Sequence, residues 1–242
     1  MVIDRRNLLR GGAVAVGAGV LGVVGASAGE SVPDASRSAD WGEQEPPEPY
    51  MDYDVHRVAK DGSAAFETIQ AAVNAAEPRD LVLVEPGVYR ERVQVNKPPK
   101  LTIRGTDRDE VIIDGEYSGY TGIAITADDV VVENLTVRHC TYGVYWTGVE
   151  GYRGSHLVTY NNTGEYTAGY GIYAYDSRHG RFEHSYASGT DDSGFYIGES
   201  QPADAVITNC LAEHNAMGFS GTNAGGNLVI REAVRDDGIG RL

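Results

Sequence analysis

The feature that most constrains this chain is a short motif that keeps returning. Asn134-Leu135-Thr136-Val137 is echoed by Ser155-His156-Leu157-Val158, His184-Ser185-Tyr186-Ala187, Asn209-Cys210-Leu211-Ala212 and Arg231-Glu232-Ala233-Val234, at steps of 21, 29, 25 and 22 residues. A glycine followed by an apolar residue comes nine or ten positions later in three of the first four units, as Gly143-Val144, Gly194-Phe195 and Gly218-Phe219. In the second unit it is delayed to Gly171-Ile172 by the insert "NTGEYTAGY". A period of about 20–30 residues with two or three short strands per unit is the signature of a β-solenoid. No single unit can bury its own apolar face, so stacked units must share one core.

Strand alternation then assigns faces. In "DSGFYIGE", Phe195 and Ile197 point inward and Tyr196 outward, and Tyr145, Tyr173 and Ser220 occupy the equivalent outward positions. Coils about 4.8 Å apart would stack the three tyrosines in an external ladder. Gly148, Asp176, Glu199 and Asn223 form a further column, so Asp176 and Glu199 are expected on neighbouring coils. Trp146 should face the core.

Upstream of the repeats the pattern changes. "DGSAAFETIQAAVNAAEPRD" predicts one helix near 64–76, with Ser63 as N-cap, Phe66, Ile69, Val73 and Ala76 on one face, and Pro78 beyond its end. Short strands follow in "LVLVEPGVYRERVQV", "LTIRG", "VIIDG" and "GIAIT". Residues 29–54 are rich in Pro and acid without periodicity and are expected to be a disordered linker. Residues 1–28 carry the paired Arg5-Arg6, an apolar run and Ala26-Ser27-Ala28, the form of a Tat-like export signal cleaved after Ala28. Residues 55–242 are then one β-helix domain. The chain stops soon after "REAVRDDGIGRL" opens a new unit, which suggests a C-terminally truncated solenoid, because an open end exposes strand edges.

Charge narrows the partners. The net charge is −15, and of 20 basic residues three are lysines, Lys60, Lys97 and Lys100. Removing the signal takes away three arginines and one aspartate and leaves the mature chain still more acidic. An acidic, lysine-poor surface suits work in high salt, where self-repulsion is screened, and fits a secreted, halophilic protein. It argues against nucleic acid as a partner, and no segment beyond the signal is apolar enough for a membrane span. A monomer is expected.

"FETIQAAVNAA", "LVLVEPGVYRERVQVNKPPKLTIRG" and "VIIDG" resemble the start of a right-handed parallel β-helix, with a capping helix, a P-G-x-Y turn and successive coils. Residues 56–240 resemble the pectin-lyase-like superfamily, and within it NosD-like or parallel-β-helix-repeat proteins. The resemblance implies an all-β solenoid of about seven coils with one N-terminal helix. It implies function only loosely, since polysaccharide lyases, glycoside hydrolases, pectin esterases, epimerases and accessory proteins share the scaffold. Pectin-esterase-like G-x-x-D-F-I-F-G and L-G-R-P-W, and pectate-lyase-like W-I-D-H and R-x-P-x-x-R, are absent from the sequence.

The expected function is polysaccharide binding or processing along one face, by a uronate lyase or glycoside hydrolase; the alternative is a non-catalytic NosD-like accessory or structural surface protein. Asp176, Glu199, Asp191 and Asp192 are the candidate acid/base cluster, or a Ca²⁺ site, against the plainer reading of a solvated acidic turn. Tyr145, Tyr173 and Tyr196 are the candidate sugar platform, or simply a structural side-chain ladder. The six histidines show no metal-ligand spacing, which disfavours the copper role that NosD-like proteins suggest. Cys140 and Cys210 lie about three coils apart and are expected as free thiols. Asn161 heads a plausible glycosylation sequon, whereas Asn134 heads another at what reads as a strand position.

Overall fold

The computed structural model describes residues 53–165 and 167–231. The expected export signal at 1–28, all but the last two residues of the expected linker at 29–54, and the C-terminal stretch from 232 lie outside the described residues. Within them the chain winds through three parallel sheets. The first sheet holds β1 (Val55–Val58), β2 (Leu81–Val84), β5 (Thr102–Gly105), β8 (Val130–Glu133), β11 (Glu150–Ser155), β14 (Arg178–Glu183), β17 (Ala205–Thr208) and β20 (Leu228–Arg231) in that order. The second holds β3 (Gly87–Tyr89), β6 (Val111–Asp114), β9 (Thr136–Arg138), β12 (Val158–Tyr160), β15 (Tyr186–Ser188) and β18 (Leu211–Glu213). The third holds β4 (Val93–Val95), β7 (Ile123–Ile125), β10 (Tyr142–Thr147), β13 (Tyr170–Tyr175), β16 (Ser193–Gly198) and β19 (Met217–Ser220). Six coils cross all three sheets once, and β1 and β20 add a part-coil at either end among the described residues, which gives a solenoid of about seven turns, as the repeat predicts.

The core is the column of inward residues that alternation exposes to one another. Val144, Ile172 and Phe195 are in register on successive coils and fully buried, as are Trp146, Ala174 and Ile197. Trp146 faces inward as expected, and its Nε1 donates to the Val130 carbonyl at 3.3 Å. The recurring glycine has a steric cause. A Cβ on Gly143 would lie 2.5 Å from the Gly171 carbonyl oxygen, and one on Gly171 would lie 2.5 Å from that of Gly194. These positions hold the coils too close for any side chain.

The corners explain the motif's polar residues. Between β7 and β19 each sheet-to-sheet bend has a residue in left-handed backbone, followed by one that turns inward. At the first-to-second-sheet bend these are Asn134, His156, His184 and Asn209, with φ of 57°, 52°, 51° and 53°. Asn and His tolerate this region better than most L-residues. The following residue then serves the core: Ser185 Oγ accepts from the Leu157 N–H at 3.1 Å and donates to the Glu183 carbonyl at 2.8 Å.

Three sequence expectations need correction. The helix, α1, spans Ile69–Ala75 rather than 64–76, and its N-cap is Thr68, whose Oγ1 accepts from Ala71 N–H at 3.2 Å. Phe66 forms a parallel bridge with Val58 instead of joining the helix, and the Glu91 carboxylate accepts the N–H groups of Ile69 and Gln70. The second repeat unit starts at His156, not Ser155, because Val158 pairs with Thr136, and the fifth is likewise one residue out, because Arg231 pairs with Thr208 and not with Asn209. Asn134 is a corner residue, not a strand residue, and its Nδ2 donates to the Gly105 carbonyl at 2.7 Å. Cys140 and Cys210 are free and buried; burial pushes their thiols up to about 12 and about 11.

Candidate functional site: a tyrosine-rich sheet face

The outer face of the third sheet carries the largest aromatic cluster in the described residues. Register places Tyr145 beside Tyr173 and Tyr173 beside Tyr196, with Ser220 next. Tyr142 pairs with Tyr170 at the start of the same strands, and Tyr175 lies beyond Tyr173 near their end. Tyr173 is the centre. Its ring stacks on Tyr145 at 4.6 Å and on Tyr170 at 4.5 Å, and it meets Tyr142 and Tyr196 edge-on at 5.2 and 4.7 Å. The ladder is therefore stacked on one side and T-shaped on the other.

Neighbours cover much of this column. Tyr173 and Tyr196 are only 9% and 7% exposed although they leave the sheet on its outer side. Tyr142, Tyr145 and Tyr170 are half-buried, and Tyr175 is exposed. Tyr196 lies along its own strand, where a Cβ on Gly198 would fall 2.4 Å from its hydroxyl, so the glycine of "FYIGE" makes room for the ring. Removal from water dominates the phenols' acidity. Burial, followed by the Asp192 charge, pushes Tyr170 up to about 12, and burial raises Tyr145, Tyr173 and Tyr196 as well. All stay neutral near pH 7.

The four carboxylates do not form one cluster. Asp191 and Asp192 precede β16, and Glu199 follows it. Seven residues of extended chain separate Asp192 from Glu199, about 23 Å at roughly 3.3 Å per residue. Asp176 and Glu199 are neighbours, because Tyr175 pairs with Gly198 just before them. Both are corner residues, with φ of 47° and 52°, and the next residues, Ser177 and Ser200, turn inward; Ser200 Oγ accepts from the Ser177 N–H at 3.0 Å. Asp suits such a corner, but Glu has no local reason to adopt left-handed backbone, and unexplained backbone strain tends to gather at functional positions. Glu199 Oε1 accepts from Asn223 Nδ2 at 2.8 Å, while Asp176 is exposed.

Asp191 has a different task. Its carboxylate accepts the backbone N–H groups of Gly169 and, at 3.2 Å, Gly164, pinning the insert that separates β12 from β13. Asp192 Oδ1 accepts from Ser193 Oγ at 2.6 Å. Ca²⁺ takes six to eight oxygen ligands, and neither pair supplies such a cage. Among the described residues no three His, Cys, Asp or Glu side chains converge on a metal position.

Sequence reasoning missed one constellation. Asp114, 6% exposed, sits at the end of β6 and accepts from Arg138 Nε at 2.8 Å, His139 Nδ1 at 2.9 Å and the Glu116 N–H at 3.0 Å. Burial alone would raise its pKa, but these bonds outweigh it and hold the carboxyl below its ordinary value. Tyr117 stacks on the His139 ring at 4.4 Å. Asp114 and His139 belong to adjacent coils 25 residues apart, and only the register of β6 and β9, which pairs Asp114 with Arg138, shows that they meet.

Comparison with known proteins agrees with this architecture. "Probable pectinesterase 56" of Arabidopsis thaliana is 29% identical over 188 residues, 69% of this chain and 60% of its own length. Pectinesterase 1 of Citrus sinensis is 37% identical over 93 residues, 35% of this chain and 16% of its own. The chain thus spans less than two thirds of the curated relatives it matches. Among solved structures, a pectin methylesterase variant in complex with a hexasaccharide superposes with a TM-score of 0.54 at 20% identity, over 75% of this chain and 67% of the other. ORF18 of Geobacillus virus E2 superposes with a TM-score of 0.51 at 15% identity, over 66% of this chain and 37% of the other. These two structures share the fold. The family described as "Right handed beta helix region" matches residues 96–234, and with the parallel three-sheet solenoid already established, this chain belongs to the right-handed β-helix family.

Proposed function

We propose that the protein binds and processes a polysaccharide laid across the outer face of the third sheet. The observation that carries this reading is the six-tyrosine cluster. Sugar rings offer apolar C–H faces that pack on aromatic rings, while phenol hydroxyls bond the sugar hydroxyls. Tyr142, Tyr145, Tyr170 and Tyr175 present the accessible surface, and Tyr173 and Tyr196 hold them in place. The pectinesterase names of the curated relatives support a polysaccharide substrate. The export-like residues 1–28 support an extracytoplasmic site of action.

Asp176 and Glu199 are the candidate acid/base pair for cleaving the chain. They stand one coil apart at the edge of the tyrosine face, about 4.8 Å in backbone terms, and two carboxylates on neighbouring coils are the groups that glycosidic chemistry uses. The alternative is a non-catalytic scaffold, which the close packing of Tyr173 and Tyr196 favours. Incubation of the mature chain at high salt with neutral and uronic polysaccharides, following new reducing ends and unsaturated products, separates the two. Product that disappears in Asp176→Ala/Glu199→Ala supports cleavage by this pair. Binding without product in the folded wild type leaves the scaffold reading.

A further inference from the structure

The third sheet ends at β4, and a side chain closes its edge. Gln70, in the first turn of α1, does what a further strand would do. Its Oε1 accepts from the Gln94 N–H at 2.6 Å, and its Nε2 donates to the Gln94 carbonyl at 3.2 Å. The same Nε2 donates to Asn74 Oδ1, one turn along the helix, at 2.9 Å. These bonds fix α1 beside the edge strand. A hollow of about 580 Å³ lies between α1 and the chain that leaves β4 through Asn96, Lys97, Pro98 and Pro99.

Register joins this hollow to the tyrosine face. Gln94 pairs with Ala124 and Ala124 with Tyr145, so the column of Tyr196, Tyr173 and Tyr145 continues through one small residue to Gln94. In the next outward column Tyr175 pairs with Thr147, and further along Thr126 Oγ1 donates to Asn96 Oδ1 at 3.2 Å. Ala124, Thr126 and Thr147 are short, so a shallow trough runs from the tyrosines to the hollow. Tyr145 and Gln94 are two coil spacings apart, about 10 Å in backbone terms.

The polar groups of the hollow are carboxamides. Gln70 is fully engaged by β4 and Asn74. By contrast, Asn74 Nδ2, Asn96 Nδ2 and the whole Gln94 carboxamide have no hydrogen-bond partner among the described residues, and these three side chains are exposed. A carboxamide presents two donors and one acceptor, which suits neighbouring hydroxyls that each donate and accept. Val73, Pro98 and Pro99 line the hollow with apolar surface for C–H groups. Charge cancels there, since Glu77 is the one carboxylate and Lys97 the one ammonium among the lining residues. No arginine lines the hollow among the described residues, so it lacks the planar fork that grips a carboxylate. The chemistry is that of a site for hydroxyls and not for an anion.

We propose that this hollow is a subsite for a neutral sugar unit of the polysaccharide whose neighbouring units lie on the tyrosine face; this rests on the polysaccharide reading above. The substrate class is then a neutral glycan chain, held at one end by carboxamides and further along by phenol rings. A chain of uronate units would bring a negative charge on each ring to a protein of net charge −15, with Glu77 in the hollow to repel it.

Binding isotherms for hexasaccharides test this. The probes are xylo-, manno- and gluco-oligosaccharides against an oligogalacturonide, with the full chain and with Asn74→Ala/Gln94→Ala. Both side chains are exposed, and the backbone of residue 94 keeps its bonds to Gln70 in the variant. Gln94→Ala alone serves if the double variant melts without cooperativity. Arg104→Ala/Arg153→Ala, on the outer face of the first sheet, is the control. The expected result is that at least one neutral hexasaccharide binds the wild type more tightly than the oligogalacturonide does. Its affinity should fall about tenfold in the carboxamide variant and not in the control. Three results overturn the subsite and leave the polysaccharide reading standing: an oligogalacturonide bound as tightly as any neutral hexasaccharide, unchanged affinity in the carboxamide variant, or a loss shared by the control. Absence of binding to every oligosaccharide defeats the polysaccharide reading, and this inference with it.

Discussion

Tyr145 and Tyr173 lie in register on adjacent coils with ring centroids 4.6 Å apart and planes 24° from parallel, while Tyr173 meets Tyr196, the next in the column, at 85°. One ring thus supports neighbours on both coils. Tyr173→Ala should cost roughly 3 kcal/mol, as truncation of a buried aromatic does. Tyr173→Phe should stay within about 1 kcal/mol, because the ring carries the packing and the hydroxyl adds little. Denaturant titration of the three proteins measures both differences.

The same burial makes an alkaline prediction. Folded-state pKa values raised above those of the unfolded chain stabilise the protein fully below the unfolded value, near 10, and that stabilisation is lost as pH rises through the folded value. Tyr170 sits at about 12 and its neighbours are raised too. The tyrosinate absorbance of Tyr145, Tyr170, Tyr173 and Tyr196 should therefore appear as a late stage above about pH 10, together with unfolding. A single titration near pH 10 with the fold intact would contradict the buried cluster.

Asp191 should behave as a fastener. Asp191→Ala removes the acceptor for Gly164 and Gly169 and frees the 161–169 insert while the coil beneath keeps its ladder. Amide exchange at these two glycines should speed by at least tenfold, with far smaller changes in β13 and β16. Uniform loss of protection across the third sheet would show that Asp191 supports the solenoid itself.

Asp114 makes the opposite prediction in acid. Its folded pKa lies below the ordinary 3.8. A depressed carboxylate contributes stability that is present above the unfolded pKa and lost as pH falls through the lower folded value. Asp114→Asn should be destabilised by about 1.5–3 kcal/mol at neutral pH, since Arg138 and His139 lose a charged partner. The gap to wild type should narrow as pH falls below about 4. Urea midpoints from pH 7 to pH 2.5 measure it.

What the sequence made legible was set by repetition. Gly143, Gly171 and Gly194 recur because the coils touch there, and Val144, Ile172 and Phe195 recur because they stack, so the fold and the register of the third sheet could be read without coordinates. The one-residue slip at Ser155 arose because corner residues, not strand residues, mark the period, and Ser155 resembles Ser185 in type though not in position. Asp191 and Asp192 looked like partners of Glu199 because they are near it in sequence, but a strand holds its ends apart. Asp114 and His139 escaped notice for the converse reason. They meet across coils, and the insert at 115–122 disguises the register between them.

The most direct test of the account is a binding isotherm for a polysaccharide panel with three proteins: wild type, Tyr142→Ala/Tyr175→Ala on the tyrosine face, and Arg104→Ala/Arg153→Ala on the outer face of the first sheet. Two stacking contacts at about 0.5–1.5 kcal/mol each predict roughly a tenfold or greater loss of affinity in the tyrosine variant and none in the arginine variant. Equal affinity in wild type and the tyrosine variant would contradict the central claim and leave the tyrosines as internal support for the solenoid.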